Sequence, residues 1–431
     1  MKNLNLYIHI PFCIKKCPYC AFFSVIDKNR DEKSYFENLK KEVRNFLPEI
    51  KNYKISTIFF GGGTPSFVSE NLIADFLNFL KNNLQIDKNT EITIETNPES
   101  LDEKKLQIYQ KSGINRISIG LQSSQDRHLK FLGRVYSFSE FLKKYEFVQR
   151  SGFKNINLDI IFGFPNQTFL DLKQTLKNVI SLNPTHISCY SLEIEEGTVF
   201  DVMHKRGELF KPSNMFRMIL SDDSLRMTKL KSSKIKNQKV RNKNLEILEN
   251  IEILDRKMYH FAVSFLEKSG FFQYEISNFS KPNFECKHNL DFWKSNDYIG
   301  FGAGASSNFL GKRFSNPKSI SSYAKLLDSK NFYETIFSKT LNFKINFENI
   351  LKISENEKMM MWIILAFRTT RIGVNFFEFE KRFKKNFLKT FDEKIKILKS
   401  NRLIQIDDEK IVLTNRGKDF LGFVEKIFYE N

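Results

Sequence analysis

The 431-residue chain has no apolar run long enough to cross a bilayer; its longest, Met359–Phe367, falls well short of the roughly 20 residues a spanning helix needs. No apolar segment preceded by a basic region stands at its start, so no signal peptide is expected. Cysteine is scarce. There are five, three of them crowded together, which is the wrong number and arrangement for a disulfide framework. Thiols kept free need a reducing compartment, and the expectation is a soluble cytoplasmic protein without a transmembrane segment. Acid is short against base, with 68 Lys and Arg to 50 Asp and Glu and a formal charge of +18. The excess lysine is spread along the whole chain together with Asn, Ile and Phe, so it reads as a solvated surface and nucleic acid is not the expected partner. What the chain has in abundance is phenylalanine, 45 residues, which points to a large core filled by aromatic rings.

The crowded cysteines lie in Tyr7-Ile-His-Ile-Pro-Phe-Cys13-Ile-Lys-Lys-Cys17-Pro-Tyr-Cys20-Ala-Phe-Phe23, spaced C-x3-C-x2-C directly after a strand-like run. Thiolates are soft ligands that select zinc, Cu(I) or iron–sulfur clusters. A structural zinc site wants four protein ligands, and this loop supplies three. Three thiolates can hold three corners of a [4Fe–4S] cube and leave the fourth iron open to a chelating substrate. A redox pair (Cys17 and Cys20) and a zinc knuckle borrowing His9, Cys189 or His288 are the competing readings. With its flanks, Y-I-H-I-P-F-C-x3-C-P-Y-C-x-F, the loop resembles the radical S-adenosylmethionine (SAM) superfamily, and within it the coproporphyrinogen dehydrogenase/HemW branch.

Short β-rich runs alternate with helical stretches through the first half. The strands expected are Leu4–Ile10, Ile55–Phe60, Glu91–Thr96, Ile114–Gly120, Ile156–Phe162 and His186–Leu192. Helical stretches between them include Lys33–Phe46, Glu70–Leu84, Glu103–Ser112, Ser139–Ser151 and Thr168–Leu182. Parallel strands need crossover connections, so the expected fold class is α/β, a partial (β/α)6 barrel. In such barrels the working residues collect at the carboxyl ends of the strands, and the unusual polar and glycine residues of this chain land there. Residues 226–243 carry eight Lys and Arg and no acid, which suggests an insertion. The expected division is 1–210 as barrel, 211–255 as basic insertion, 256–341 as a barrel-associated segment and 342–431 as a mainly helical, winged-helix-like domain. Ser354 and Glu357 form a capping-box signal at the start of that last domain.

Gly61-Gly62-Gly63-Thr64-Pro65 follows the second strand, and glycines there let a ligand approach the backbone and leave N–H groups as free donors. Glu95 and Asp159 are carboxylates in apolar strands and need partners, either ligand hydroxyls or an internal salt bridge with Arg116 or Arg134. Gln122 offers a donor and an acceptor, and Arg134 can grip a carboxylate with two parallel bonds. The resemblance implies Cys13, Cys17 and Cys20 as cluster ligands. It implies Tyr7, Tyr19, Gly62, Gly63, Thr64, Glu95, Gln122, Arg134 and Asp159 as SAM contacts. Where the family has a histidine shortly after this Gly-Arg pair, Tyr136 stands here.

A third landmark runs from Tyr274-Glu-Ile-Ser-Asn-Phe279 through Cys286-Lys-His288-Asn289-Leu-Asp-Phe292-Trp293 to Tyr298-Ile-Gly-Phe-Gly-Ala-Gly304-Ala. It resembles the E-I-S-N-F…C-x-H-N-x-x-Y-W…G-x-G-x-x-A signature of HemW-type proteins, with Phe292 in place of the tyrosine. Imidazole and thiolate both ligate haem iron, and the resemblance implicates Cys286, His288, Asn289 and Trp293 in haem contact. Coproporphyrinogen dehydrogenases carry a further cysteine where this chain has Phe22, and an N-terminal extension for which it has no room. The resemblance therefore implies a HemW-like haem chaperone that binds haem, a [4Fe–4S] cluster and SAM and passes haem to acceptor proteins, often respiratory haemoproteins at the membrane. The alternative is an oxygen-independent coproporphyrinogen III dehydrogenase, which cleaves SAM reductively and removes two propionates by oxidative decarboxylation. A second alternative, resting on charge alone, is an RNA-binding or RNA-modifying metalloprotein.

Overall fold

The computed structural model describes residues 2–27, 29–209, 254–328, 333, 336–337 and 350–429. The basic stretch 226–243, and all of the expected insertion except its last two residues, lie outside the described residues.

Six strands run in chain order with helices between them: β1 (Asn3–Ile10), α1 (Glu32–Ile50), β2 (Lys54–Gly62), α2 (Glu70–Asn83), β3 (Gln85–Thr96), α3 (Glu103–Ser112), β4 (Arg116–Gln122), α4 (Asp126–Phe131), α5 (Phe138–Ser151), β5 (Asn155–Phe162), α6 (Phe169–Ser181) and β6 (His186–Ser191). Every neighbouring pair from β1 to β6 is parallel. The cause is visible in β1, whose side chains alternate between two buried faces. Leu4, Leu6, Ile8 and Ile10 enter the hydrophobic core. Asn5, Tyr7 and His9 take the opposite face, the barrel interior. Helix ends follow the local sequence: Ser137 with Glu140 and Thr168 with Asp171 close capping boxes on α5 and α6. Gly113 and Gly152 end α3 and α5 in the left-handed conformation.

After α7 (Val199–Lys205), a helix over 254–268 (α8) leads to β7 (Phe272–Gln273) and β8 (Asn278–Ser280). β8 joins β6 antiparallel and β7 pairs outside it. Then come α9 (Lys287–Trp293), β9 (Tyr298–Phe301), β10 (Ser306–Phe309), β11 (Lys312–Ser315), α10 (Ile320–Leu326) and β12 (Ile350–Lys352). β9 lies parallel to β1 on its other side, followed by β10, β11 and β12. The sheet is open, with twelve strands in one line and β12 and β7 at its two edges.

The last portion packs around a second hydrophobic cluster, centred on Ile363, Phe367, Phe379, Leu398 and Ile411. It comprises α11 (Glu355–Arg368), β13 (Val374–Asn375), α12 (Phe376–Phe383), α13 (Phe387–Thr390), α14 (Asp392–Ser400), β14 (Ile404–Ile406), β15 (Lys410–Leu413), α15 (Asn415–Asp419) and α16 (Leu421–Tyr429). Its sheet has the order β13-β15-β14. This unit meets the end of the large sheet beside β7. Ile276 N–H donates to Arg368 O at 3.1 Å and Thr370 N–H to Tyr274 O at 3.1 Å. The Thr370 hydroxyl donates to Gln273 O at 2.9 Å.

Several boundaries differ from expectation, and three of the differences have a local cause. β3 begins at Gln85 rather than Glu91, because its exposed polar start pairs with Lys54 and Ile55 without any hydrophobic period. The helix expected over 388–400 breaks at Phe391, whose ring turns into the core between α13 and α14. The helix expected from Asn415 breaks at Phe420.

Candidate functional site

A cavity of about 720 Å³ opens at the carboxyl ends of the strands and reaches down into the barrel. Cys13, Cys17 and Cys20 stand on its wall. Their loop is pinned to the scaffold at both ends. Val25 N–H donates to Pro11 O at 2.7 Å and Cys13 N–H to Val25 O at 3.1 Å. His9 Nε2 bonds Phe23 O at 2.8 Å. Burial pushes the Cys13 and Cys20 thiols up, and the neighbouring cysteines add to the effect in both. Since the thiolate is the ligand, taking up iron would expel protons here.

Among the described residues no three His, Cys, Asp or Glu side chains gather closely enough to hold a single metal ion. Three thiolates on one cavity wall, one short of the four ligands a structural zinc takes, suit the three corners of a cube whose fourth iron is open.

A chain of polar contacts ties the two ends of the loop across the rim. Cys13 Sγ lies 3.4 Å from Thr64 Oγ1, which accepts from Asn97 Nδ2 at 3.0 Å. Asn97 Oδ1 accepts from Arg134 Nη1 at 2.9 Å, and Arg134 Nη2 donates to the Tyr19 hydroxyl at 2.8 Å. Tyr19 immediately precedes Cys20. Arg134 Nε is buried without a partner.

Glu95 and Asp159 face the same cavity from β3 and β5. Neither forms an ion pair with Arg116 or Arg134; Glu95 Oε2 accepts from Gly62 N–H at 3.2 Å and Asp159 Oδ1 from Asn157 Nδ2 at 2.7 Å. Burial, reinforced by Asp159, raises Glu95 to about 7. Asp159 is also raised by burial. Two such carboxyls without a close cation are matched to hydroxyl donors of a ligand.

Gln122 enters the wall from the end of β4 with φ 70°, beside a register shift between β4 and β5. A side chain held in the left-handed region marks stored strain of the kind found at working sites. Tyr136 explains how it is held: its hydroxyl donates to Gly120 O and Leu121 O. The residue standing in the family's histidine position thus supports the backbone.

The glycine triplet works differently from the sequence expectation. Its N–H groups are engaged rather than free: Gly62 on Glu95, and Gly63 on Ile10 O at 2.8 Å. A Cβ on Gly62 (φ +111°) would strike the His9 ring at 2.6 Å, and one on Gly63 would strike Pro11. Glycine is required there because β2 closes against β1, not because a ligand needs the room. Gly62, Gly63 and Thr64 still line the cavity.

Of the nine expected SAM contacts, Tyr7 alone is off the cavity wall. Its hydroxyl meets His9 Nδ1 at 3.2 Å and its ring stacks on Phe59.

The four haem candidates lie on α9 or at its start, beneath the barrel. Glu91 accepts from Lys287 N–H at 3.2 Å and His288 N–H at 3.1 Å, fixing the helix start. His288 Nδ1 meets Thr57 Oγ1 at 2.7 Å and its ring lies over Phe59. Burial drops His288 to about 3, so it is neutral. Cys286 is fully buried beside Glu91, and burial lifts its thiol to about 12. Trp293 packs under Arg368, 4.6 Å from guanidinium to ring centre. Only Asn289 reaches the cavity.

The sequence puts Tyr190 at the carboxyl end of the sixth strand and offers Arg116 as a salt-bridge partner, but gives neither of them, nor Asn97, a contact with a ligand. All three line the cavity, and Tyr190 donates to Gln122 Oε1 at 3.4 Å. The signal for Tyr190 was its place at the end of the sixth strand. For Asn97 it was a polar residue just past the third.

Comparison with known proteins gives a consistent picture. The profile of the Radical SAM superfamily matches residues 7–179, and that of the HemN C-terminal domain matches residues 353–420. The chain is 32% identical to the haem chaperone HemW of Buchnera aphidicola subsp. Schizaphis graminum, over 99% of this chain and 98% of that one. It is 31% identical to the haem chaperone HemW of Lactococcus lactis subsp. lactis, over 96% of this chain and 94% of that one. Among solved structures it superposes on the coproporphyrinogen III oxidase HemN of Escherichia coli, a radical SAM enzyme, with a TM-score of 0.74 and 20% identity. That match covers 99% of this chain and 90% of the other.

Proposed function

The chain belongs to the HemW family of radical SAM proteins, and from that membership we propose that it is a haem chaperone carrying a [4Fe–4S] cluster and SAM, and delivering haem to acceptor haemoproteins. One observation carries the reading: three cysteines and eight of the nine residues expected to touch SAM line one cavity. Bound together, the cluster and SAM would supply one-electron chemistry at the cluster's open iron. The chain's own part is to hold and shield them. Cys13, Cys17 and Cys20 hold the cluster, and Glu95 and Asp159 accept from ribose hydroxyls. Gln122 adds a donor and an acceptor, and Arg134 fixes Tyr19 and Asn97 around the methionine end.

Cys286 would become a haem ligand only if α9 left its seat, since its thiol is sealed against Glu91, whereas His288 spends Nδ1 on Thr57 and keeps Nε2 without a partner among the described residues. The acceptor protein is proposed on the family's pattern alone.

The reading is tested by anaerobic reconstitution. The protein is expected to take up one [4Fe–4S] cluster, and Ala at any of Cys13, Cys17 or Cys20 should abolish the cluster's visible absorbance. Zinc in place of iron would overturn it. Haem titration should then give a stable complex, with no protoporphyrinogen formed from coproporphyrinogen III. Turnover of that substrate with SAM and reductant would instead make the protein a dehydrogenase.

A further inference from the structure

Arg116 is the largest of the fully buried side chains, and it stands at the start of β4, well below the rim. None of its guanidinium nitrogens has a hydrogen-bond partner among the described residues, and its Nε is sealed from solvent. No carboxylate lies within ion-pair distance of it; Glu91, the acid one strand away, is spent on the start of α9. Cys286 and Glu91 exert the largest pull on it, followed by Tyr274 and Asp159, all from beyond hydrogen-bond distance. Burying an arginine without hydrogen bonds costs several kcal/mol, so a fold that keeps one facing a cavity needs a reason.

The cavity supplies it. Arg116 lines its lower end together with Asn289, whose side-chain amide likewise has no partner among the described residues. Nearby Asn157 is fully used by Ser118, Asp159 and His186 and offers nothing further. The lower end therefore presents a guanidinium fork and an amide donor, unmatched by acceptors. That pattern fits a planar carboxylate taking two parallel N–H bonds.

We propose that the floor of the cavity is a carboxylate-binding site, in which Arg116, helped by Asn289, receives a carboxylate of the ligand bound above it. Haem carries such groups in its propionates, and the inference rests on the haem-chaperone reading; the methionine end of SAM would be taken at the rim, by the cluster's open iron and the chain of Arg134, Tyr19 and Asn97. Arg134 does not compete for the role, since two of its nitrogens are already committed to Asn97 and Tyr19.

The test compares haem with haem dimethyl ester, which differ only at the carboxylates, on the full chain with its cluster reconstituted. Wild-type protein should prefer the free acid by about tenfold or more. Arg116→Met should erase that preference and Arg116→Lys should restore part of it. Asn289→Asp, which leaves the arginine in place and adds a repelling charge, should also erase it. An unchanged preference in these variants, with wild-type cluster absorbance and circular dichroism, would overturn the proposal and leave Arg116 a structural counter-charge. A wild type that binds both forms equally would overturn the floor site and leave the chaperone reading standing, and one that takes up no haem would refute both.

Discussion

A carboxyl that ionises near neutrality cannot serve equally at all pH values, and Glu95, held at about 7, is such a group. It is the stronger acceptor for a ribose hydroxyl when charged, so SAM affinity should rise as pH climbs through 7. Between pH 6 and 8 its charged fraction changes about tenfold, and calorimetry should show a gain of up to that size that Glu95→Gln flattens. A pH-independent wild type would remove Glu95 from the contact. Glu42 sits elsewhere, fully buried, accepting from Gly302 N–H, Asn316 Nδ2 and the Tyr323 hydroxyl, and burial lifts it to about 7. Its folded pKa lies above its unfolded one, so its contribution is intact below about 4.5 and is lost as pH rises through 7. Denaturant unfolding at pH 5 and 8 should show Glu42→Gln losing less stability than wild type over that interval, by ~3 kcal/mol at most. The cysteines, the carboxylates and Gln122 could be read from the chain because their chemistry is unusual in a strand. Arg116 and Asn97 could not, because what distinguishes them is which neighbours they have, or lack, across the sheet.

The elements themselves were legible wherever both faces of a strand carry apolar residues or a helix starts on a capping box. They were not where pairing rests on polar backbone, as at the start of β3, or where one ring redirects the chain, as at Phe391. The connection from β2 to the cysteine loop is an element of a different kind, built from the contacts of Thr64, Asn97, Arg134 and Tyr19. Asn97→Ala removes its middle link and leaves a buried guanidinium bond unmade. SAM binding should weaken by about 1–3 kcal/mol, while cluster absorbance stays near wild type; loss of the cluster itself would show that the link acts on the thiolates instead. Tyr136→Phe frees the β4 end by removing the hydroxyl donor to Gly120 O, while Leu121 O keeps the Ser123 N–H at 2.9 Å, and should cost about 1–3 kcal/mol in thermal unfolding.

At the scale of the whole molecule, the two largest of the three hydrophobic clusters among the described residues lie one under the large sheet and one in the C-terminal unit. Gly417 is buried in the latter, where a Cβ would collide with Leu403 O. Gly417→Ala should destabilise that unit by about 1–3 kcal/mol, seen as faster hydrogen exchange over β14, β15 and α15 with the barrel strands unchanged. The union of the two parts was less legible than either, since the bonds from Arg368 and Thr370 to the backbone around Tyr274 join segments nearly a hundred residues apart. Those bonds occupy polar groups at the rim of a sheet whose terminal strand is only two residues long. Uncovered strand borders recruit strands from other molecules. A barrel truncated before Ser354 would therefore be prone to self-association through the border that the C-terminal unit now covers.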